Sequence, residues 1–377
     1  MSISDGFDYV TYGSVCDPVE LERFLGHTMT VNDRLVADGR RGTPVCVWGR
    51  HGIGKTDIVE SVARARGAAF VSIAPAQFEE MGDLLGMPVV VDGGAATAMA
   101  PPEWVPREDV PGVLLIDDVN RADDRILRGL MQLLQRYRLA SWSLPPRWQI
   151  VLTANPDGGD YSVTPMDDAM LTRMLHVTLR FDVKRWAAWA ETQGMDPRGI
   201  AFVLTYPETV TGVRTTPRSL VQFFERIAAL PDLRADLDLV TMLGDACLDS
   251  STVSAFVAFV NNDLDILVTP EEILGARDFA PVAERLAELG GRGGRRVDLL
   301  ATVCTRVVNH LRQRTTRLDA TAVANLRGLL TLEALPADMR LAMAQDLMLL
   351  DRSLGATRVL ADKAVGRLLL DLAAVPS

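Results

Sequence analysis

Gly49-Arg50-His51-Gly52-Ile53-Gly54-Lys55-Thr56 fits the pattern G-x-x-x-x-G-K-[ST] at every fixed position. The stretch before it, Pro44-Val45-Cys46-Val47-Trp48, is short and apolar and predicts a buried strand. The stretch after it, Asp57-Ile58-Val59-Glu60-Ser61-Val62-Ala63, spaces its apolar residues at helical intervals. A glycine-rich turn between a strand and a helix is the setting of a phosphate cradle. The glycines let the backbone bend so that successive N–H groups face one anion, and the helix N-terminus adds partial positive charge there. The expected nucleotide contacts are Gly49, Gly52, Ile53, Gly54, Lys55, Thr56 and Asp57. Lys55 is placed to reach the β- and γ-phosphates, and the Thr56 hydroxyl to bind Mg2+.

Working outward, four more strands are predicted at Ala69–Ile73, Val113–Ile116, Gln149–Ala154 and Leu175–Leu179. Strands alternating with helices predict an α/β fold, a five-stranded parallel sheet covered on both faces. Ligands in such sheets sit beyond the carboxyl ends of the strands. The glycine loop, Asp117-Asp118 and Asn155 all fall at such ends, so three polar features converge on one edge. Asp117 is expected to hold Mg2+ with Thr56, through water, and Asp118 to orient the attacking water. Asn155 is expected to hydrogen-bond the γ-phosphate or that water. Arg173, just before the fifth strand, and Arg218, in Thr216-Pro217-Arg218-Ser219, complete the set. A permanently charged guanidinium suits a γ-phosphate that gains charge in the transition state.

Between these features, Asp17 to Ala37 predicts a helix with Asp17 as N-cap, Gln77 to Leu85 a second and Ile126 to Leu134 a third. Pro88 to Pro106 has the alternation and turn residues of a hairpin. After Val183 strand signals fade. Helical patterns run over 183–192, 216–230, 237–260, 297–313, 321–331 and 338–353, and Gly290-Gly291-Arg292-Gly293-Gly294 predicts a loop. The expected organisation is a nucleotide-binding core over 1–182, a helical lid over 183–268 and a C-terminal helical region over 269–377.

The 377 residues are 48% hydrophobic, enough for a large core, with a mean hydropathy of +0.12. No apolar stretch is long enough to span a bilayer, and the N-terminus lacks the basic start and apolar core of a signal peptide, so a cytoplasmic protein is expected. Cys16, Cys46, Cys247 and Cys304 form no C-x-x-C pair and predict reduced, mostly buried thiols in place of a disulfide or zinc framework. His27, His51, His176 and His310 show no metal spacing and receive no chemistry. A net charge of −10 and a pI near 5.0 disfavour nonspecific nucleic-acid binding. From Thr269 onward, 15 Lys and Arg against 13 Asp and Glu give about +2, leaving about −12 before it. Arg292, Arg295, Arg296, Arg306, Arg312, Arg314 and Arg317 lie in that stretch, as solvated faces or as a docking surface for an acidic partner.

The ordered motifs resemble those of an AAA+ ATPase, and within that superfamily the MoxR-type branch. The glycine loop resembles Walker A, and Val113-Leu114-Leu115-Ile116-Asp117-Asp118-Val119-Asn120-Arg121-Ala122 the branch's Walker B with its following Asn-Arg-Ala. Thr153-Ala154-Asn155-Pro156 resembles sensor 1, Leu171-Thr172-Arg173-Met174 the arginine-finger segment, and Thr216-Pro217-Arg218-Ser219 sensor 2. The resemblance implies ATP and Mg2+ as cofactors and a P-loop core followed by a helical lid. It implies a homo-oligomeric ring, usually a hexamer, in which Arg173 acts on a neighbour's nucleotide. It also implies insertions at Val89 to Met99 and Arg138 to Arg147, and chaperone-like remodelling of a client protein, often with a von Willebrand factor A-type partner. The branch usually has Glu where this chain has Asp118. Asp is one methylene shorter, so slow hydrolysis by a nucleotide-gated assembly switch is the alternative expectation.

Overall fold

The computed structural model describes residues 10–156, 163–263, 268–290, 297–314, 316–350, 354–362 and 365–366. The chain divides into two compact units, Met1–Asp182 and Val183–Ser377. Among the described residues, no helix is long and apolar enough to cross a membrane.

The first unit opens with strand β1 (Ser14–Cys16) and helix α1 (Pro18–Ala37). Asp17 caps α1: its carboxylate accepts from Glu20 N, while the Glu20 side chain accepts from Asp17 N. Next come β2 (Val45–Trp48), α2 (Lys55–Ala65) and β3 (Ala69–Ile73). The helix expected over Gln77–Leu85 is shorter, reduced to α3 (Met81–Leu85). Asp83 Oδ2 accepts from the N–H groups of Glu79 and Glu80, and this capping box starts the helix at Met81 with Glu80 as N-cap. The expected hairpin is β4 (Met87–Val91) antiparallel to β5 (Ala96–Ala100).

Then follow β6 (Gly112–Ile116) and α4 (Asp124–Arg136), which buries Ile126, Leu127, Leu130, Leu133 and Leu134 as one stripe. A small hairpin of β7 (Arg138–Leu139) and β8 (Trp142–Ser143) leads to β9 (Trp148–Ala154), α5 (Asp168–Leu171) and β10 (Leu175–Leu179). The main sheet runs β1-β10-β2-β9-β6-β3, and every pair in it is parallel. The five expected strands are therefore joined by a sixth. Three residues are too few for β1 to show any alternation, and only its pairing with β10 defines it.

Period-two alternation splits each central strand between two cores. Val45 and Val47 of β2, Val113 and Leu115 of β6 and Val151 of β9 pack with Leu21, Leu25 and Met29 of α1 and with Val59, Val62 and Ala63 of α2. Cys46 and Trp48, Leu114 and Ile116, and Ile150 and Leu152 pack on the other face with Leu127, Leu130, Leu133 and Leu134 of α4. This is a three-layer P-loop NTPase-like α/β fold. The central three strand ends, β2, β9 and β6, lie side by side and carry the polar residues.

The second unit is helical among its described residues: α6 (Val183–Thr192), α7 (Pro197–Thr205), α8 (Pro217–Ile227), α9 (Leu237–Cys247) and α10 (Ser250–Asp263). It continues with α11 (Pro270–Gly275), α12 (Ala280–Gly290), α13 (Val297–Gln313), α14 (Ala320–Leu330) and α15 (Ala337–Met348). The single helix expected over 237–260 is two. Leu248 is extended, and the Asp249 carboxylate accepts from the N–H groups of Arg214 and Thr215, so a contact distant in sequence ends α9. Helices α7, α11 and α12 lie where no helix is expected. The helix expected over 338–353 ends at Met348, and 351–353 lie outside the described residues, as does most of the Gly290–Gly294 loop. Buried side chains of 183–268 and 269–377 meet, although the apolar core of the latter draws on Val268 and later residues. Thr205 Oγ1 lies 3.3 Å from Thr302 Oγ1, and Arg306 Nε 3.7 Å from Glu191 Oε1.

Candidate functional site

Gly49 leaves β2 with its N–H bonded to the Ala154 carbonyl at 3.1 Å, which extends the β2–β9 ladder into the loop. A Cβ on Gly49 would stand 2.7 Å from Ile53 Cδ1 and 2.9 Å from the Leu179 carbonyl, so only glycine fits there. Gly54 is the N-cap of α2 at φ 94°, a left-handed conformation that costs other residues strain. These two positions bend the chain so that the N-terminus of α2 faces the loop, the end of a helix that favours an anion.

Lys55 is only 5% exposed, and its Nζ points back across the loop. It donates to the carbonyls of Gly49 (2.7 Å) and Arg50 (3.0 Å) and to Asn155 Oδ1 (3.1 Å). Thr56 Oγ1 donates to Asp117 Oδ1 at 2.9 Å. Asn155 Nδ2 donates to Asp118 Oδ1 at 3.0 Å. The expected residues thus form two hydrogen-bonded groups side by side, Lys55–Asn155–Asp118 and Thr56–Asp117, across the ends of β2, β6 and β9. Hard oxygens of a hydroxyl and a carboxylate held together at a helix N-terminus suit Mg2+, which keeps several of its own waters. Among the described residues, no group of three or more His, Cys, Asp or Glu is placed to hold a metal.

Two further residues organise these groups, and neither is predicted from the sequence in that role. Thr153, on β9 and fully buried, donates its hydroxyl to Asp117 Oδ1 and accepts from Asp118 N at 2.8 Å. Asn120, also fully buried, accepts from Asn155 N at 3.0 Å and donates to the Asn155 carbonyl at 2.8 Å. Both lie in stretches that carry the family resemblance, Asn120 in Asn120-Arg121-Ala122 and Thr153 in Thr153-Ala154-Asn155-Pro156, but the sequence gives neither a bonding partner. Asp118 sits at φ 47°, ψ 45°, a left-handed conformation Asp tolerates better than most. Its second oxygen lies 3.4 Å from Arg121 Nε.

The arginines stand differently. Arg173 follows α5 by two residues, is half-buried, and donates from Nη1 to the Ala169 carbonyl. Arg218 is exposed at the start of α8 in the second unit, where Thr216 and Ser219 cap that helix. Ile53 is half-buried in the loop, packed on the α1–α2 side, and Asp57 lies in the first turn of α2. Of the basic residues after Thr269, Arg306 is buried against Glu191 and is not available to a docking surface. Arg292, Arg295 and Arg296 lie outside the described residues, while Arg314 Nε bonds locally to Thr316.

Sheet order and glycine loop together define a nucleotide-binding domain of the P-loop class. Residues 44–174 match the family model of the AAA domain, dynein-related subfamily. No curated protein sequence matches the chain. Similar solved structures include the Thermotoga maritima RuvB Holliday junction branch migration motor, 14% identical at a TM-score of 0.35, covering 74% of this chain and 86% of that one. A point mutant of the same Thermotoga maritima protein is 14% identical at 0.36, covering 82% and 94%. A putative ATPase from Cytophaga hutchinsonii is 14% identical at 0.31, covering 78% and 80%.

Proposed function

We propose that this chain is a Mg2+-dependent ATPase of the MoxR type, which assembles into a homo-oligomeric ring and remodels a bound client protein. The observation that carries the reading is the hydrogen-bonded set Lys55–Asn155–Asp118 beside Thr56–Asp117. It gathers a cation, a metal-type oxygen pair, a carboxylate base and a polar sensor at one rim. The bound nucleotide supplies the phosphoanhydride, and Mg2+ screens its charge. Lys55 neutralises phosphate oxygens, and Thr56 with Asp117 holds the metal. Asp118 orients the attacking water and takes its proton, and Asn155 fixes the carboxylate through Nδ2. Arg173 is assigned to the nucleotide of a neighbouring copy and Arg218 to γ-phosphate sensing from the helical unit. A finger of this kind contributes about 10³–10⁵ in rate. The ring is read as a hexamer and the partner as a client or adaptor, with a von Willebrand factor A-type protein as the first candidate.

One observation favours a second reading, a nucleotide-gated assembly switch with slow hydrolysis. Asp118 is a short carboxylate whose two oxygens already face Asn155 and Arg121. Turnover and nucleotide binding of Lys55→Ala, Asp118→Ala and Arg173→Ala decide between outcomes. K55A is expected to lose binding, while D118A and R173A keep binding and lose at least tenfold in turnover. Wild-type turnover that is no faster than D118A, with binding intact, selects the switch. Full turnover in K55A overturns both readings.

A further inference from the structure

His176 is a further polar side chain with fixed partners near the phosphate loop, and the reading above gives it no role. It lies on β10, beside β2, with Cys46 as its register partner, so its side chain shares a face with that of Trp48. Trp48 is 1% exposed and directly precedes Gly49. Its indole Nε1 donates to His176 Nδ1 at 2.9 Å, and Tyr12 stacks on the indole at 4.1 Å. An indole N–H can only donate, so Nδ1 accepts and the imidazole proton sits on Nε2. That proton points at the Leu171 carbonyl, 2.7 Å away.

Leu171 is the last residue of α5, which has four residues. A helix that short does not sustain itself. The Leu171 carbonyl accepts weakly from Met174 N at 3.3 Å and gives its other lone pair to the imidazole at the shorter 2.7 Å. Arg173 follows two residues later, and Met174 beyond it is buried at 6% exposed. The turn carrying Arg173 is therefore fixed on one side by the imidazole and on the other by the core. We propose that His176 is a positioning residue for Arg173, its imidazole tying the strand end that enters the phosphate loop to the carbonyl two residues before that arginine. The proposal rests on the reading of Arg173 as the residue that acts on nucleotide.

The loop itself does not depend on this imidazole, because β2 is hydrogen-bonded on both sides, to β10 and to β9. Loss of the tie should release the Arg173 turn and leave nucleotide binding intact. A displacement of about 1 Å in a catalytic group can cost around 10²-fold. His176→Phe keeps ring volume without either polar atom, whereas His176→Gln offers an acceptor and an N–H donor at about the imidazole spacing.

The test measures turnover and nucleotide Kd for the full chain carrying H176F, H176Q, R173A or H176F with R173A, with circular dichroism and melting as fold checks. H176F is expected to lose about tenfold or more in kcat with Kd within twofold, H176Q to recover most of that loss, and the double variant to match R173A alone. In 15N-histidine-labelled wild type, the signal lost in H176F should show the Nε2–H tautomer. An R173A variant with full turnover overturns the reading beneath the proposal. Impaired R173A beside an unimpaired H176F, an H176Q no better than H176F, a multiplicative double variant, or an Nδ1–H tautomer overturns the proposal itself. Should H176F fail the fold checks, H176Q and the tautomer decide it: a tautomer with Nδ1 bare and a folded H176Q with near-normal kcat support the tie.

Discussion

At the residue scale, a single hydroxyl on β9 holds two adjacent carboxylate-bearing residues in place. Thr153 bonds the Asp117 carboxylate with its O–H and receives the Asp118 N–H on its oxygen. Thr153→Val keeps the shape of a buried strand residue but leaves that N–H without a partner. Such a loss costs about 1–3 kcal/mol. Urea unfolding of T153V should show a lowered midpoint with unchanged slope, and turnover should fall more than nucleotide affinity does. An unchanged midpoint would contradict the bridging role of Thr153. The charged members of the site were legible because charges at the ends of apolar strand runs are conspicuous. Thr153 and Asn120 were not, since a buried Thr in a strand and an Asn in a turn are ordinary by type. Only the parallel register of β6 and β9 turns them into partners. His176 was passed over for the same reason: its role depends on an indole 128 positions away.

At the element scale, the central strands and α2 follow from local pattern, and two of the departures from expectation are set by distant partners. The α9–α10 break depends on Asp249 capping backbone from the turn before α8, and β1 exists only through β10. The interior joining α6 to α13 makes a measurable claim about pH. Glu191 is pushed up to about 7 by burial, which the Arg306 guanidinium only partly offsets and Glu271 reinforces. A carboxyl whose folded value lies above its unfolded one binds more protons when folded, so its contribution is full below the unfolded value and is lost as pH rises toward the folded one. Wild type should therefore lose stability relative to Glu191→Gln between about pH 4.5 and 7. Paired urea titrations at pH 5 and pH 8 test this, and a difference between the two proteins that is independent of pH would contradict it.

At the scale of the whole molecule, the proposal that Arg173 acts on a neighbour's nucleotide requires assembly. Light scattering on the full chain with Mg2+ and a slowly hydrolysed ATP analogue should give a mass near six copies, reduced in K55A. A monomer at micromolar concentration under those conditions would remove the role in trans while leaving the nucleotide site standing. Beneath every scale lies the claim that the rim formed by the ends of β2, β6 and β9 binds a nucleoside triphosphate with Mg2+. Isothermal titration of ATP and Mg2+ into the full chain, beside K55A, tests it most directly. We expect saturable heat at one site per chain in the wild type and none in a folded K55A protein. A folded wild type that releases no heat, or a K55A variant that binds equally well, would contradict the account.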